Sequence, residues 1–272
     1  MARITLPESR IRVRRRRRIM RTVLAWGVLL FLIALILIGL SWLPQLRLRD
    51  VSVVGTQTIA STTIAQIMEQ ELARTYWYVL PRSNVLLYPK ESIADMLLMQ
   101  FSPLKKVTVD FENFHTLRVV VEERTPAALW CGEEPHRETP CTFLDQAGVA
   151  YAQAPEYSQG VYVRYFGPLA TTTPPQYARG AFESLHALVA ALGEKTGGDR
   201  VDTVAITSDR DVKVALLSGC EIIFALGQDS ATVVNHFILA LSSSVFADHS
   251  LSEFEYIDLR YGNKLYYKLK NQ

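Results

Sequence analysis

Three cysteines and five histidines are the side chains of this chain best suited to nucleophilic or metal chemistry. Cys220 sits in Ser218-Gly219-Cys220-Glu221, at the start of a predicted strand. A cysteine transpeptidase needs its thiol at a strand end with a His and an Arg brought close to it. The Thr-x-Thr-Cys pattern of sortase-like enzymes is absent, which leaves Cys220 reading as a buried strand residue. The histidines (His115, His136, His186, His236 and His249) keep no metal-ligand spacing. His186 and His236 fall on amphipathic helices as surface or boundary residues. The pairs Glu122-Glu123 and Glu133-Glu134 read as solvated strand ends and loops rather than acid–base machinery. No Gly-rich phosphate loop, GxSxG elbow or HExxH occurs. The expectation is a protein without catalysis, cofactor or metal.

Cys131 and Cys141 offer different chemistry. They bracket nine polar, Pro-containing residues, and the strands on either side would run antiparallel. That geometry brings α-carbons to about 4.5–5.5 Å, within disulfide range. The pair is a disulfide candidate, provided this part of the chain lies in an oxidising compartment.

Charge and hydropathy address the compartment. Residues 1–21 carry nine arginines against Glu8, a balance of +8, so the remainder must sum to 2 − 8 = −6. The basic isoelectric point therefore describes a tail on a mildly acidic body and does not indicate nucleic acid. Thr22 to Leu43 is a run of 22 uncharged residues with Trp26 and Trp42 near its ends. As a helix it would be roughly 33 Å long, enough to cross a hydrocarbon core of about 30 Å. A cleaved signal peptide would have a shorter apolar region ending in small residues. The arginines directly before the span predict a cytoplasmic N-terminus and an extracytoplasmic body.

Beyond the span, the predicted elements fall into two groups. Residues 46–124 read as strand, helix, helix, strand, strand: Arg49–Val54 stopping at Gly55, a helix from Ser61 to Leu72, and an aromatic loop from Arg74 to Tyr88. A second helix then opens after Pro89 and closes by Pro103, followed by strands Lys106–Phe111 and Thr116–Glu122. Residues 127–272 read as a mixed β unit. Its strands are Ala127–Trp130, Thr142–Asp145, Val149–Tyr151, Val161–Tyr165, Val201–Thr207, Asp211–Leu217, Glu221–Leu226, Glu255–Arg260 and Lys264–Leu269. One helix carries Ala178, Phe182, Leu185, Leu188 and Leu192, and another covers Ala231–Leu241. The fold class is α+β behind a single membrane span.

From Thr22 to Leu269 this arrangement resembles FtsQ/DivIB, the bitopic bacterial cell-division proteins. The most specific mark is the run Val121-Glu122-Glu123-Arg124-Thr125-Pro126-Ala127-Ala128-Leu129-Trp130. Leu144-Asp145-Gln146-Ala147-Gly148-Val149 and Tyr256-Ile257-Asp258-Leu259-Arg260-Tyr261 follow in order. The resemblance implies a POTRA domain over 46–124 and an FtsQ-type β domain over 127–272. It implies a non-enzymatic divisome scaffold at the septum, linking early to late division proteins and helping to control septal peptidoglycan synthesis. Its implied partners are FtsB (DivIC)-like and FtsL-like proteins at the β domain, FtsK at the POTRA domain, and the lipid bilayer. The final strand is a natural sheet edge for an extended partner segment, with Tyr256, Tyr261, Lys264, Leu265, Tyr266 and Tyr267 as candidate contacts. The alternatives are a POTRA-containing envelope assembly or transport component, and a membrane-anchored sortase-like enzyme. The loop 75–88 is longer and more aromatic than the resemblance accounts for.

Overall fold

The computed structural model of the chain describes residues 10–270 apart from 86, 114, 136–138, 159, 208 and 209. Part of the basic tail (1–9) and His136 thus lie outside the described residues. The chain divides into two compact units between Glu123 and Arg124.

The first unit begins with helix α1 (Arg10–Ser41). Its apolar stretch, Arg18–Ser41, is long and apolar enough to cross a membrane. The 24 residues rise about 36 Å. Leu24, Trp26, Phe31, Leu37 and their neighbours are exposed, so the rest of the chain does not cover them. The helix closes at Ser41, two residues before the end of the predicted span, and Trp42 and Leu43 turn out of it.

Strand β1 (Asp50–Val54), helix α2 (Ser61–Leu72), the short hairpin β2 (Thr75–Tyr76) and β3 (Leu80–Pro81), helix α3 (Lys90–Gln100), and strands β4 (Leu104–Phe111) and β5 (Thr116–Glu123) follow. The sheet order is β1-β5-β4, with β1 parallel and β4 antiparallel to β5. Period-two alternation turns Val107, Val109, Leu117, Val119 and Val121 to one face. Ile64, Met68 and Leu72 of α2 and Ile93 and Leu97 of α3 close over them at helical spacing. The β1-to-α2 turn requires Gly55: its φ is +94°, and a Cβ there would meet the Val121 carbonyl oxygen at 2.1 Å. Glu123 then ties this turn down. Its carboxylate accepts from the backbone N–H groups of Gln57 (2.7 Å), Thr58 (3.0 Å) and Ile59 (3.2 Å), and from the Thr58 hydroxyl. Burial opposes its ionisation, but these donors outweigh it and hold the carboxyl below its ordinary range.

The second unit contains strands β6 (Ala128–Trp130), β7 (Thr142–Leu144), β8 (Ala150–Gln153), β9 (Arg164–Phe166), β10 (Leu169–Ala170) and β11 (Gln176–Tyr177). Helix α4 (Phe182–Gly193), strands β12 (Val201–Ile206), β13 (Asp211–Leu216) and β14 (Glu221–Ala225), helices α5 (Ser230–Leu241) and α6 (Ser244–Ala247), and strands β15 (Phe254–Asp258) and β16 (Tyr266–Leu269) complete it. One mixed nine-stranded sheet has the order β16-β15-β14-β13-β12-β9-β6-β7-β8. The stripes of α4 (Phe182, Leu185, Leu188, Val189, Leu192) and α5 (Val233, Phe237, Ala240) join Val204, Val214, Ile222, Phe224 and Ile257 in one core. The molecule is thus α+β, with an N-terminal apolar helix and a large mixed sheet. The short α6 is a third helix where the sequence suggested two in this unit, and the last strand starts at Tyr266 rather than Lys264. Lys264 instead donates its N–H to Tyr261 O at 3.2 Å and belongs to the turn.

Candidate functional site

The two ends of the nine-stranded sheet differ. At the β8 end the β10–β11 hairpin folds over: Ala150 N–H donates to Pro175 O at 3.0 Å and Tyr177 N–H to Gly148 O at 2.8 Å. At the other end β16 has β15 on one side, and among the described residues no further strand follows it. Lys270 N–H donates inward to Glu253 O at 2.9 Å. Antiparallel alternation then turns Lys268 and Tyr266 inward as well, and Tyr267 and Leu269 outward. Each of those two residues offers one N–H and one C=O along the free edge.

The side chains divide by face. Leu265, Tyr267 and Leu269 lie on the helix side. Leu265 and Leu269 pack against the core, and Tyr267 meets Phe246 and Phe254 edge-on at 5.7 and 5.8 Å. Phe246 and Phe254 stack at 4.4 Å beneath it. Tyr266 and Lys268 point to the opposite face, where Tyr266 meets Tyr261 at 5.1 Å and Lys268 bridges Glu255 at 2.6 Å. Tyr256, half-buried on β15, pairs with Lys268 across the ladder. Lys264, Tyr261, Tyr266 and Tyr267 are exposed. The six residues singled out from the sequence therefore lie on the last two strands and the turn between them, and their side chains divide between two faces.

A groove of about 260 Å³ runs along the helix side of this edge, between α5 and α6 on one bank and residues 262–267 on the other. His236, Leu239, Val245 and Phe246 line it with Leu265 and Tyr267. Leu239, in the last turn of α5, is 65% exposed although it is aliphatic. Of these, Leu239, Val245 and Phe246 were not singled out from the sequence. A signal was present: α5 reads Val233-Val234-Asn235-His236-Phe237-Ile238-Leu239, more apolar than one buried stripe requires, and the surplus falls on Ile238 and Leu239.

The chain matches no family model and no curated protein sequence.

Charged pairs brace the edge and the start of the unit. Arg260 donates from Nε to Asp258 Oδ1 at 2.9 Å and from its two terminal nitrogens to Asp258 and Asp211, which ties β15 to β13. Burial raises the Asp258 carboxyl, but the Arg260 hydrogen bonds more than reverse this and leave it below its ordinary value. The Arg260 guanidinium also lies 5.4 Å from the Tyr261 ring centroid. At the start of the unit, Arg124 pairs with Asp145, whose other oxygen accepts from Ala147 and Val149 N–H, both at 2.9 Å. This pair joins two of the sequence marks, Glu123-Arg124-Thr125-Pro126 and Leu144-Asp145-Gln146-Ala147-Gly148.

Cys131 and Cys141 are joined by a disulfide with α-carbons 4.2 Å apart. Cys220 is fully buried, and burial pushes its thiol up to about 12, far from a thiolate at neutral pH. His186 stacks on Phe182 and shares a 2.9 Å hydrogen bond with the Tyr165 hydroxyl, and burial lowers its pKa. Among the described residues no three His, Cys, Asp or Glu side chains gather in a metal-sized group.

Proposed function

We propose that this protein is a membrane-anchored cell-division scaffold of the FtsQ/DivIB kind, and that β16 docks an extended segment of an FtsB/DivIC-like partner. The single observation that carries the reading is the open β16 edge beside an apolar groove. An incoming strand gains backbone bonds at Tyr267 and Leu269, and the groove accepts its apolar side chains. Backbone bonds alone do not suffice. Two N–H and two C=O groups at about 1 kcal/mol each amount to about 4 kcal/mol, the free energy of a millimolar complex. The groove at Leu239, Phe246 and Leu265 and the exposed Tyr261 and Tyr266 must supply the rest.

In this reading, the N-terminal arginines hold the tail in the cytoplasm and place both units outside it. The strand–helix–helix–strand–strand unit is a POTRA domain that contributes localisation through FtsK, and FtsL-like proteins join the complex through the β unit. The protein performs no catalysis. It passes the state of the early division machinery to septal peptidoglycan synthesis by holding its partners. The test pairs imaging with crosslinking. A fluorescent N-terminal fusion is expected at midcell in dividing cells, and a photo-reactive residue at position 267 is expected to capture the FtsB-like partner. A uniform envelope signal together with no capture from 267 overturns the reading.

A further inference from the structure

The β2–β3 hairpin holds the two most exposed aromatic side chains among the described residues, with Trp77 87% and Tyr78 96% exposed. Both also have positive φ, +46° and +61°. In that region bulky side chains crowd the backbone, and turns there favour Asn or Gly. With so little of either ring covered, packing within the chain does not account for two aromatics in these positions.

Their place in the fold does. Ser41 is the last residue of the membrane-length stretch. Next to it, Trp42 Nε1 donates to the Val79 carbonyl at 2.8 Å, and Asn84 Nδ2 donates to the Ser41 carbonyl at 2.9 Å. Leu48 N–H to Ser83 O (2.8 Å) and Val85 N–H to Leu46 O (2.9 Å) extend the seam. The hairpin is thus stitched to the end of the span. Trp77 and Tyr78 precede Val79 by two residues and one, so at about 3.8 Å per residue their α-carbons lie within about 13 Å of the Trp42 indole nitrogen. The interfacial layer on each side of the hydrocarbon core is about 5–8 Å deep, and indole and phenol rings favour it. Cations accompany the rings: Arg47 lies 4.8 Å from the Trp42 centroid and Arg82 4.9 Å from that of Tyr76. From there guanidinium groups can meet lipid phosphates.

We infer that the Thr75–Pro81 hairpin is a second membrane contact, with Trp77 and Tyr78 embedded in the headgroup layer of the leaflet from which α1 emerges. Without this seam, residues 42–46 would be a swivel between α1 and the rest of the first unit. A second contact point, tied to the same helix end, fixes the angle at which the unit leaves the bilayer. The occupant is lipid because the hairpin is bonded to the residues that close the span, so a bilayer around α1 reaches the rings without any further partner.

This inference rests on α1 crossing a membrane, and the experiment separates the two claims. The full-length chain is reconstituted in nanodiscs of phosphatidylcholine and phosphatidylglycerol, with and without brominated acyl chains. The Trp77 signal is isolated as wild type minus Trp77→Phe, and the Trp26 signal as wild type minus Trp26→Phe. The expected result is a blue-shifted Trp77 emission that loses about half its intensity in brominated lipid, alongside quenched Trp26. A Trp77 emission that is water-like and unquenched while Trp26 is quenched overturns the hairpin contact and leaves the span standing. Loss of quenching at both positions overturns both claims. A Trp77 signal that shifts only on addition of a division protein assigns the rings to a protein partner and also overturns the inference. Tyr78→Ser provides a second reading with Trp77 retained: its Trp77 emission is expected to shift toward that of water.

Discussion

Tyr267→Pro separates partner docking from folding more cleanly than other changes at this edge, because the Tyr267 N–H points away from β15. A proline at 268 would remove a donor that faces into the sheet, whereas a proline at 267 removes one on the free edge. The side chain also matters, since Tyr267 contacts Phe246 and Phe254. Aromatic pairs of this kind contribute about 0.5–1.5 kcal/mol each, and Tyr267→Ala loses the same contacts. The difference between the Pro and Ala variants therefore isolates the backbone. One ladder bond contributes about 1 kcal/mol, and a partner carbonyl left unpaired costs a further 1–3 kcal/mol. The sum, about 2–4 kcal/mol, weakens binding roughly 30- to 1,000-fold relative to Tyr267→Ala. The measurement is fluorescence anisotropy of a labelled segment of the FtsB-like partner against each detergent-solubilised full-length variant, with circular dichroism confirming that both fold. Equal dissociation constants for the two folded variants would refute strand addition at β16.

Three further outcomes follow from the same geometry. Arg124→Ala strands the Asp145 carboxylate in a site where the two side chains are only 13% and 7% exposed; a loss of about 3–5 kcal/mol is expected in urea unfolding followed by Trp130 fluorescence. Breaking the Cys131–Cys141 bridge, which closes a sequence separation of 10, should cost about 2.5–3 kcal/mol on a chain-entropy account. With the bridge intact, alkylation and mass spectrometry of unreduced, denatured protein should find one modified cysteine, Cys220. Glu123 has a lowered folded pKa, so its contribution is fully present above its ordinary value of 4.5 and is lost as pH falls through the lower folded value. The stability gap between wild type and Glu123→Gln should accordingly be open at pH 7 and shrink progressively below about pH 4, read from denaturant midpoints across pH.

The elements read most clearly from sequence are those specified by local pattern. Ile64, Met68 and Leu72 mark α2 at helical spacing, and the alternation in β4 and β5 places Val107, Val109, Leu117 and Val119 on one face. Boundaries shifted where pairing decides. Val161-Tyr162-Val163 has strand-like residues, yet the ladder begins at Arg164, where β12 and β6 first offer partners. The β10–β11 hairpin was hidden in a Thr- and Pro-rich loop, since two-residue strands carry no period. Trp77 and Tyr78 gave no turn signal because neither is a residue that favours positive φ. The free sheet edge itself was legible as a final strand. The groove beside it was not, because it exists only once α5 and α6 are laid against the residue 262–267 turn.

The route of the chain through the first unit has a mechanical consequence. The chain passes from α1 into β1 at Asp50 and leaves β5 at Glu123, and these two strands are parallel neighbours in register from Asp50↔Thr116 to Val54↔Val120. A pull applied between α1 and the second unit would draw the start of β1 one way and the end of β5 the other, along the strand axis. The evenly spaced bonds of a parallel pair are then loaded together, in shear, and none can be peeled open ahead of the rest. A unit threaded this way can stay folded under tension applied between its apolar helix and the end of β5.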